Sequence, residues 1–115
     1  MLTADTIRLR HMLDAAQEAL RGTEGRSRAA LDENRVWPLG VVKCVEIIGE
    51  AAARVSDAMQ HKYPQIPWAQ IVGMRNRLVH AYFEIDLDQV WQAVTEDLPP
   101  LVAALEAILK KEEGL

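Results

Sequence analysis

One cysteine is all that the 115-residue chain contains, so no disulfide can form within it. Because Cys44 lies in the apolar pattern VVKCVEII, we interpret it as a small buried hydrophobe in a protein of a reducing compartment. No apolar run approaches the ~20 residues that a membrane-spanning helix needs. The N-terminal segment carries charges throughout and lacks the apolar centre of a signal peptide. These absences predict a cytoplasmic protein without a membrane segment.

Acidic residues are missing from one part of the chain. No Asp or Glu lies between Ala58 and Phe83, whereas Lys62, Arg75 and Arg77 lie there. The whole chain carries a formal net charge of −4, so this segment is positive within an otherwise acidic protein. A local positive segment predicts an anion-binding site, and chance clustering of three bases is the alternative.

Strand-like alternation and internal repeats are also absent, and helical periodicity fills the chain. We predict one domain over residues 1–115 with an all-α fold, an antiparallel bundle of four to five helices. Apolar residues spaced alternately four and three apart predict one long helix, at Val41, Val45, Ile48, Ala52, Val55 and Met59. The predicted helices run from a Thr3 or Asp5 cap to before Gly22, from Ser27 to Glu33, from Val36 to His61, from Pro67 to Tyr82, and from an Asp86 or Asp88 cap to Lys111, with a kink or break at Pro99 and Pro100.

Motifs for metals and phosphate loops are lacking as well. No Glu-x-x-His or His-x-x-x-His spacing occurs, so the sequence predicts no metal site inside the bundle. The glycines of IIGEAA and IVGMRN stand singly inside helices and form no phosphate-binding loop. Cys44 has no evident histidine partner, which argues against a thiol nucleophile. We therefore expect neither a metal nor a cofactor.

The stretch MRNRLVHAYF is the densest group of polar side chains in the chain. On a helical wheel at ~100° per residue, Arg75 and Tyr82 fall near the middle of the apolar stripe. Asn76 and His80, four residues apart, share its flank, and Arg77 points to solvent. Taken singly, a histidine here is most often solvated near a helix end, and a tyrosine is most often an interfacial core residue.

An arginine on an apolar face needs a partner, because an unpaired buried charge costs several kcal/mol. The periodicity leaves two explanations equally open. One is a salt bridge from Arg75 to Glu46 or Glu50 on the neighbouring helix. The other is an anion site at the bundle surface or at a subunit interface.

The spacing Arg75-x4-His80-x-Tyr82, with Asn76 directly after the arginine, resembles the HepT-like toxins of the HEPN superfamily. The segments VEIIGEAAARVS, YPQIPWAQIVGMRNRLVHAYFEIDLDQVW and VTEDLPPL resemble this family in order and spacing, from about Arg35 to the end. The resemblance implies a HEPN-like fold and a metal-independent ribonuclease, the toxin half of a toxin–antitoxin pair. It also implies a homodimer in which the two motifs meet, and an antitoxin that is a minimal nucleotidyltransferase able to transfer AMP to Tyr82.

The residue types suit that chemistry, because RNA supplies its own nucleophile, the 2′-hydroxyl. Histidine titrates near pH ~6.5 when unperturbed, so His80 suits general acid–base catalysis. Arg75 can hold phosphate oxygens with two donors, and Asn76 can hold either the imidazole or the phosphate. We expect Arg77 and Lys62 to guide RNA through contacts to its backbone.

The wheel adds a geometric expectation. Five residues on one helix place Arg75 and His80 about 140° apart, so one helix presents them poorly to a single phosphate. A two-fold interface would let two copies converge on a composite site. An AMP group on Tyr82 would crowd that site and occupy Arg75.

Two other functions compete with the ribonuclease. The first is a non-catalytic helical module that docks and regulates a nucleotidyltransferase, in which the motif serves the interface. The second is a structural bundle in which Arg75 pairs with Glu50 and His80 lies away from any cleft. Metal-free RNA cleavage that disappears in His80→Ala would separate the ribonuclease from the binding module.

Overall fold

The computed structural model describes residues 3–114, without the side chain of Phe83. Within that range the chain is built of helices, which confirms the predicted all-α class. The α-helices are α1 (Ala4–Thr23), α2 (Ala30–Glu33), α3 (Val36–Ala53), α4 (Asp57–Lys62), α5 (Trp68–Val72), α6 (Met74–Leu78), α7 (Leu87–Gln92) and α8 (Leu98–Glu112). A 3₁₀ turn covers Ala81–Phe83, and a π-helical turn covers Ala93–Asp97. None of the described helices combines the length and apolar character needed to cross a membrane.

Helix α1 lies between α3 and α8 and runs antiparallel to both. Its N-terminus is fixed by a capping box, in which Thr3 and Thr6 bond each other's side chains and backbone amides. Arg10 pairs with Glu113 at 3.0 Å, and Gln17 near the other end of α1 bonds Glu106. The three helices share one core of fully buried side chains, among them Leu9, Met12, Val45, Ile48, Leu105 and Ile108.

The predicted long helix Val36–His61 is wrong, because α3 ends at Ala53 and α4 begins at Asp57. Ser56 causes the break. Its amide donates to Oδ1 of Asp5 at 2.8 Å, and its hydroxyl donates to Oδ2 of the same carboxylate at 2.6 Å. The Ser56 hydroxyl oxygen also accepts from the Met59 amide, so Ser56 caps α4. A contact from α1 therefore overrides the apolar periodicity.

The predicted helix from Pro67 to Tyr82 is also wrong. The helical path is interrupted at Gly73, between α5 and α6, and it ends at Leu78. The chain then turns back on itself in what we call the His80 hairpin, residues 79–85, where Val79 pairs with Ile85 in an antiparallel bridge. Since both residues are β-branched, they favour the extended backbone of this bridge.

Helix α5 sits close to α3 because of a glycine. A Cβ built on Gly49 of α3 would lie 3.1 Å from the carbonyl oxygen of Val72 and 3.4 Å from that of Ile71. The absence of a side chain thus lets the last carbonyls of α5 approach the α3 backbone. Because α6 starts directly after α5, this contact also sets the position of Arg75.

The predicted interruption of the last segment is confirmed, because this segment consists of two α-helices, α7 and α8. The prolines Pro99 and Pro100 do not lie at the division itself. They lie in the first turn of α8, and the π-helical turn Ala93–Asp97 joins α8 to α7. Proline cannot donate to the carbonyl four residues earlier, so the regular ladder is interrupted just upstream. The Thr95 hydroxyl donates to the Trp91 carbonyl at 2.7 Å. At the front of the chain, α1 continues through Gly22 to Thr23, and α2 begins only at Ala30.

Candidate active site

The His80 hairpin carries two of the predicted site residues away from α6. The His80 amide donates to the Glu84 carbonyl, and the Asp86 amide donates to the Leu78 carbonyl, both at 2.7 Å. His80 itself has an extended backbone. Its predicted position on a helix flank, four residues after Asn76, is therefore wrong, because α6 has already ended. The angle of 140° between Arg75 and His80 does not apply either.

Tyr82 occupies the tip of the hairpin. Its φ of 61° is the only positive value at a non-glycine residue in the described chain. The side chain is 99% exposed, so the prediction that Tyr82 lies on the apolar face beside Arg75 is wrong. A left-handed backbone is costly for a residue with a Cβ, and here it projects the phenol into solvent.

His80 pairs with an acid that the sequence pattern indicated only as a helix cap. Its Nε2 lies 2.9 Å from Oδ2 of Asp86, while Oδ1 of Asp86 accepts from the Gln89 amide at 3.1 Å and caps α7. The Gln89 amide and then the imidazole hold the pKa of Asp86 below its usual range. The His80 side chain remains 56% exposed, so the imidazole is open to a substrate.

Arg75 faces α3, and one of the two predicted partners is there. Its Nε lies 3.9 Å from Oε2 of Glu46, whose other oxygen accepts from Lys43 at 3.1 Å. The pair with Glu46 is thus confirmed, although the contact is long. The arginine side chain is 35% exposed rather than enclosed in the apolar stripe. The guanidinium therefore stays within reach of an anion from solvent.

Asn76 orients the arginine instead of the histidine. Its Oδ1 accepts from Nη1 of Arg75 at 3.4 Å. Within residues 3–114 no hydrogen bond joins Asn76 to His80. The hydrogen bonds and ion pairs of the motif thus form two groups, Arg75 with Asn76 and Glu46 on α6 and α3, and His80 with Asp86 at the hairpin.

The two residues predicted to guide RNA are both engaged with acids. Arg77 contacts Asp97 at 3.4 Å on the opposite side of α6 from Glu46, and it is partly exposed as predicted. Lys62 pairs with Glu112 at 2.8 Å, and this hydrogen bond raises the pKa of Lys62. Asp97 and Glu112 lie at opposite ends of α8, about 22 Å apart along the helix axis. The structure therefore does not bring Lys62 to the motif.

A cleft of about 230 Å³ opens on the Arg77 side of α6, between α5 and α8. Its walls include Ile71, Met74 and Leu101, and Asp97 joins Arg77 at its rim. Neither His80 nor Asp86 lines it, so it is separate from the hairpin. Across the described residues, no three His, Cys, Asp or Glu side chains are grouped as metal ligands would be.

Known proteins resemble this chain over most of its length. A family model described as "Ribonuclease HepT-like" matches residues 12–108. A protein of Methanocaldococcus jannaschii that is named a "putative RNase" is 31% identical over 103 residues, which cover 90% of this chain and 85% of that protein. A protein of Caldanaerobacter subterraneus with the same description is 30% identical over 105 residues, or 91% of this chain and 94% of the relative. A "probable ribonuclease HepT" of Thermococcus cleftensis is 39% identical over 70 residues, or 61% and 64%. No solved structure matches the chain.

Proposed function

Because this chain belongs to the HepT-like ribonuclease family, we propose that it is a metal-independent endoribonuclease, the toxin of a toxin–antitoxin pair that acts in the cytoplasm. The observation that carries the proposal is the His80 hairpin. It presents an exposed imidazole, held by the carboxylate of Asp86, close in sequence to a half-exposed arginine. A histidine near solvent with an acidic partner is suited to move protons at neutral pH.

In the proposed reaction the 2′-hydroxyl of RNA attacks the adjacent phosphorus. The bond from O2′ to phosphorus forms, and His80 takes the proton of the 2′-hydroxyl. The bond from phosphorus to O5′ breaks, and O5′ leaves with a proton from an imidazolium or from water. The products are a 2′,3′-cyclic phosphate and a 5′-hydroxyl end, so no outside nucleophile is consumed.

Arg75 stabilises the charge that develops on the phosphate. Its guanidinium has only a long contact to Glu46, so phosphate oxygens can replace that carboxylate as the closer partner. Asn76 steadies the guanidinium through its side-chain oxygen. Arg77 then contributes a sequence-independent backbone contact, while Lys62 is too distant for the same phosphate and would meet RNA only farther along the strand.

The proposed ribonuclease is a homodimer with a composite site, and α3 offers a face for the interface. Spacings of three, four and four place Val36, Leu39, Lys43 and Ile47 on one side of the helix, which we call the α3 face. Its apolar side chains are exposed, Val36 by 76%. A two-fold axis near Ile47 would place Lys43 of one copy opposite Glu50 of the other. Since Glu46 borders this face, the two Arg75 groups would flank the interface.

The antitoxin in this proposal is a minimal nucleotidyltransferase that binds the toxin and attaches AMP to Tyr82. The phenol at the hairpin tip is fully open to an enzyme, whereas Tyr63, the other tyrosine, is buried and bonds Glu112. An added AMP would place an anion two residues from His80 and hinder RNA from reaching the imidazole.

Cleavage of RNA by the purified protein in excess EDTA tests the activity. Wild type and His61→Ala, which changes an exposed histidine on α4, should leave cyclic phosphate ends, while His80→Ala and a 2′-O-methyl substrate should give no product. Cleavage that persists in His80→Ala would refute the assignment.

Light scattering tests the dimer. Ile47→Glu should give a monomer without RNase activity, whereas Ile7→Glu, which changes an equally exposed isoleucine on α1, should stay dimeric. An active monomer would contradict the composite site.

Intact mass after incubation with the nucleotidyltransferase and ATP tests the modification. Wild type and Tyr63→Phe should gain AMP, and Tyr82→Phe should not. AMP on the Tyr82→Phe protein would exclude this tyrosine as the acceptor.

A further inference from the structure

Asp86 has two oxygens with two different partners. Oδ1 accepts from the Gln89 amide and starts α7, and Oδ2 contacts Nε2 of His80. The first bond fixes the carboxylate in the manner of any helix cap. The second bond connects this fixed carboxylate to the imidazole of His80. A residue that caps a helix thus also reaches the candidate catalytic group.

The pair is held from the backbone as well. The Asp86 amide donates to Leu78, and the His80 amide donates to Glu84. Val79 and Ile85 pair between these two bonds. The hairpin therefore fixes the backbone positions of His80 and Asp86. Their side-chain contact thus does not depend on a flexible loop.

The contact also decides which nitrogen carries the proton in the neutral imidazole. The lowered pKa of Asp86 keeps it ionised at neutral pH, and an ionised carboxylate can only accept. Nε2 must therefore be the donor in the bond to Oδ2. The lone pair of the neutral ring then lies on Nδ1, on the opposite side of the ring from Asp86.

We propose that Asp86 is a positioning residue that keeps the His80 proton on Nε2 and leaves Nδ1 as the atom that takes the proton from the 2′-hydroxyl. This inference rests on the proposed ribonuclease activity and adds to it a residue and an atom. Asp86 touches no substrate in this account and acts only through His80. In the cleavage step the 2′-hydroxyl proton moves to Nδ1, and the imidazolium so formed is stabilised by the carboxylate on Nε2.

The test uses Asp86→Asn, which keeps an oxygen to cap α7 and loses the charge that faces His80. Asp88→Asn is the matched control, because Asp88 lies two residues along and pairs with Arg28 at 2.8 Å. Single-turnover cleavage in EDTA is measured for both variants, and for Asp86→Asn combined with His80→Ala. Long-range proton–nitrogen NMR spectra of the imidazole report which ring nitrogen is protonated, a readout that simple loss of stability does not change.

We expect Asp86→Asn to lower the cleavage rate about 10- to 100-fold, since general acid–base catalysis is worth about 10²- to 10⁴-fold and only its orientation is lost. Asp88→Asn should cut like wild type. The double variant Asp86→Asn, His80→Ala should give no product, like His80→Ala alone. The spectra should show neutral His80 protonated on Nε2 in wild type and on Nδ1 in Asp86→Asn, because the new amide donates to Nε2.

Failure of this inference differs from failure of the proposed function. An active wild type whose rate and His80 spectrum are unchanged in Asp86→Asn would overturn the positioning role and leave the ribonuclease standing. A wild type that cuts no RNA, or no more than His80→Ala, would overturn both. A wild-type spectrum with the proton on Nδ1 would overturn the assignment of the reacting atom whatever the rates.

Discussion

Alanine at position 49 should destabilise the fold, although the same replacement usually stabilises a helix. Gly49 lies inside α3, where alanine has a helix propensity about 1 kcal/mol better than glycine. Its new Cβ, however, would meet the Val72 carbonyl oxygen at 3.1 Å and the Ile71 oxygen at 3.4 Å. Both neighbours are backbone atoms at the end of α5, so neither can rotate away.

The magnitude follows from the two opposing effects. Overpacking a close contact costs about 1–3 kcal/mol, which exceeds the propensity gain. We expect Gly49→Ala to lower the free energy of unfolding by up to about 2 kcal/mol net. A domain of this size loses about 3–6 °C in Tm per kcal/mol, so the thermal midpoint should fall measurably.

The control is Gly22→Ala in the last turns of α1, where a new Cβ meets no described atom within 4 Å. This variant should be as stable as wild type or more stable, by up to about 1 kcal/mol. Urea and thermal unfolding of the three proteins give the comparison. Because α5 leads into α6, RNA cleavage by Gly49→Ala should fall as well. A Gly49→Ala protein as stable as Gly22→Ala would refute the close packing of α5 on α3.

Three further predictions concern single groups. Tyr82→Gly should leave the free energy of unfolding unchanged or raise it by up to about 1 kcal/mol, since it removes the strain of the left-handed backbone. The control Ala81→Gly should lower the free energy of unfolding by about 0.5–1 kcal/mol. A clear loss of stability in Tyr82→Gly would argue against the strain. The pKa of Asp86 is lowered first by the Gln89 amide, and that of Glu112 by its hydrogen bond from Lys62. Both groups stabilise the fold above their ordinary pKa values and lose that effect as pH falls through the lowered ones, so wild type should lose more stability between about pH 5 and pH 2 than an Asp86→Asn, Glu112→Gln protein. Partial burial raises the pKa of the Cys44 thiol, so it should react more slowly with a disulfide reagent at neutral pH in the folded protein than in urea. Equal rates would contradict this partial burial.

The sequence predicted the helical class because that class is a property of local periodicity. The cap at Thr3 and the start of α7 at Asp86 were also readable, since each depends on residues three positions apart. The break at Ser56 could not be predicted from the local sequence in the same way. It depends on Asp5, 51 residues earlier, and no local pattern shows that contact.

The sequence indicated the candidate site residues, but it did not predict where all of them lie in the fold. The pairing of Arg75 with α3 followed from its place among apolar residues, and Glu46 was one of two candidates. The apolar periodicity continues through Val79 to Tyr82. It therefore did not indicate that Val79 lies outside the helix and pairs with Ile85. The two β-branched residues on either side of the segment 80–84 favour an extended backbone and are compatible with a hairpin, which would have placed Asp86 beside His80.

The packing of the first helix against the last has a consequence for synthesis on the ribosome. Helix α1 emerges before α8, yet part of its surface is covered by α8, through pairs such as Arg10 with Glu113. At translation rates of about 5–20 residues per second, α8 follows α1 by on the order of ten seconds. During that interval α1 exposes the surface that α8 will cover. The core that α1 shares with α8 therefore cannot be completed before α8 has been made, which leaves time for a chaperone to bind first.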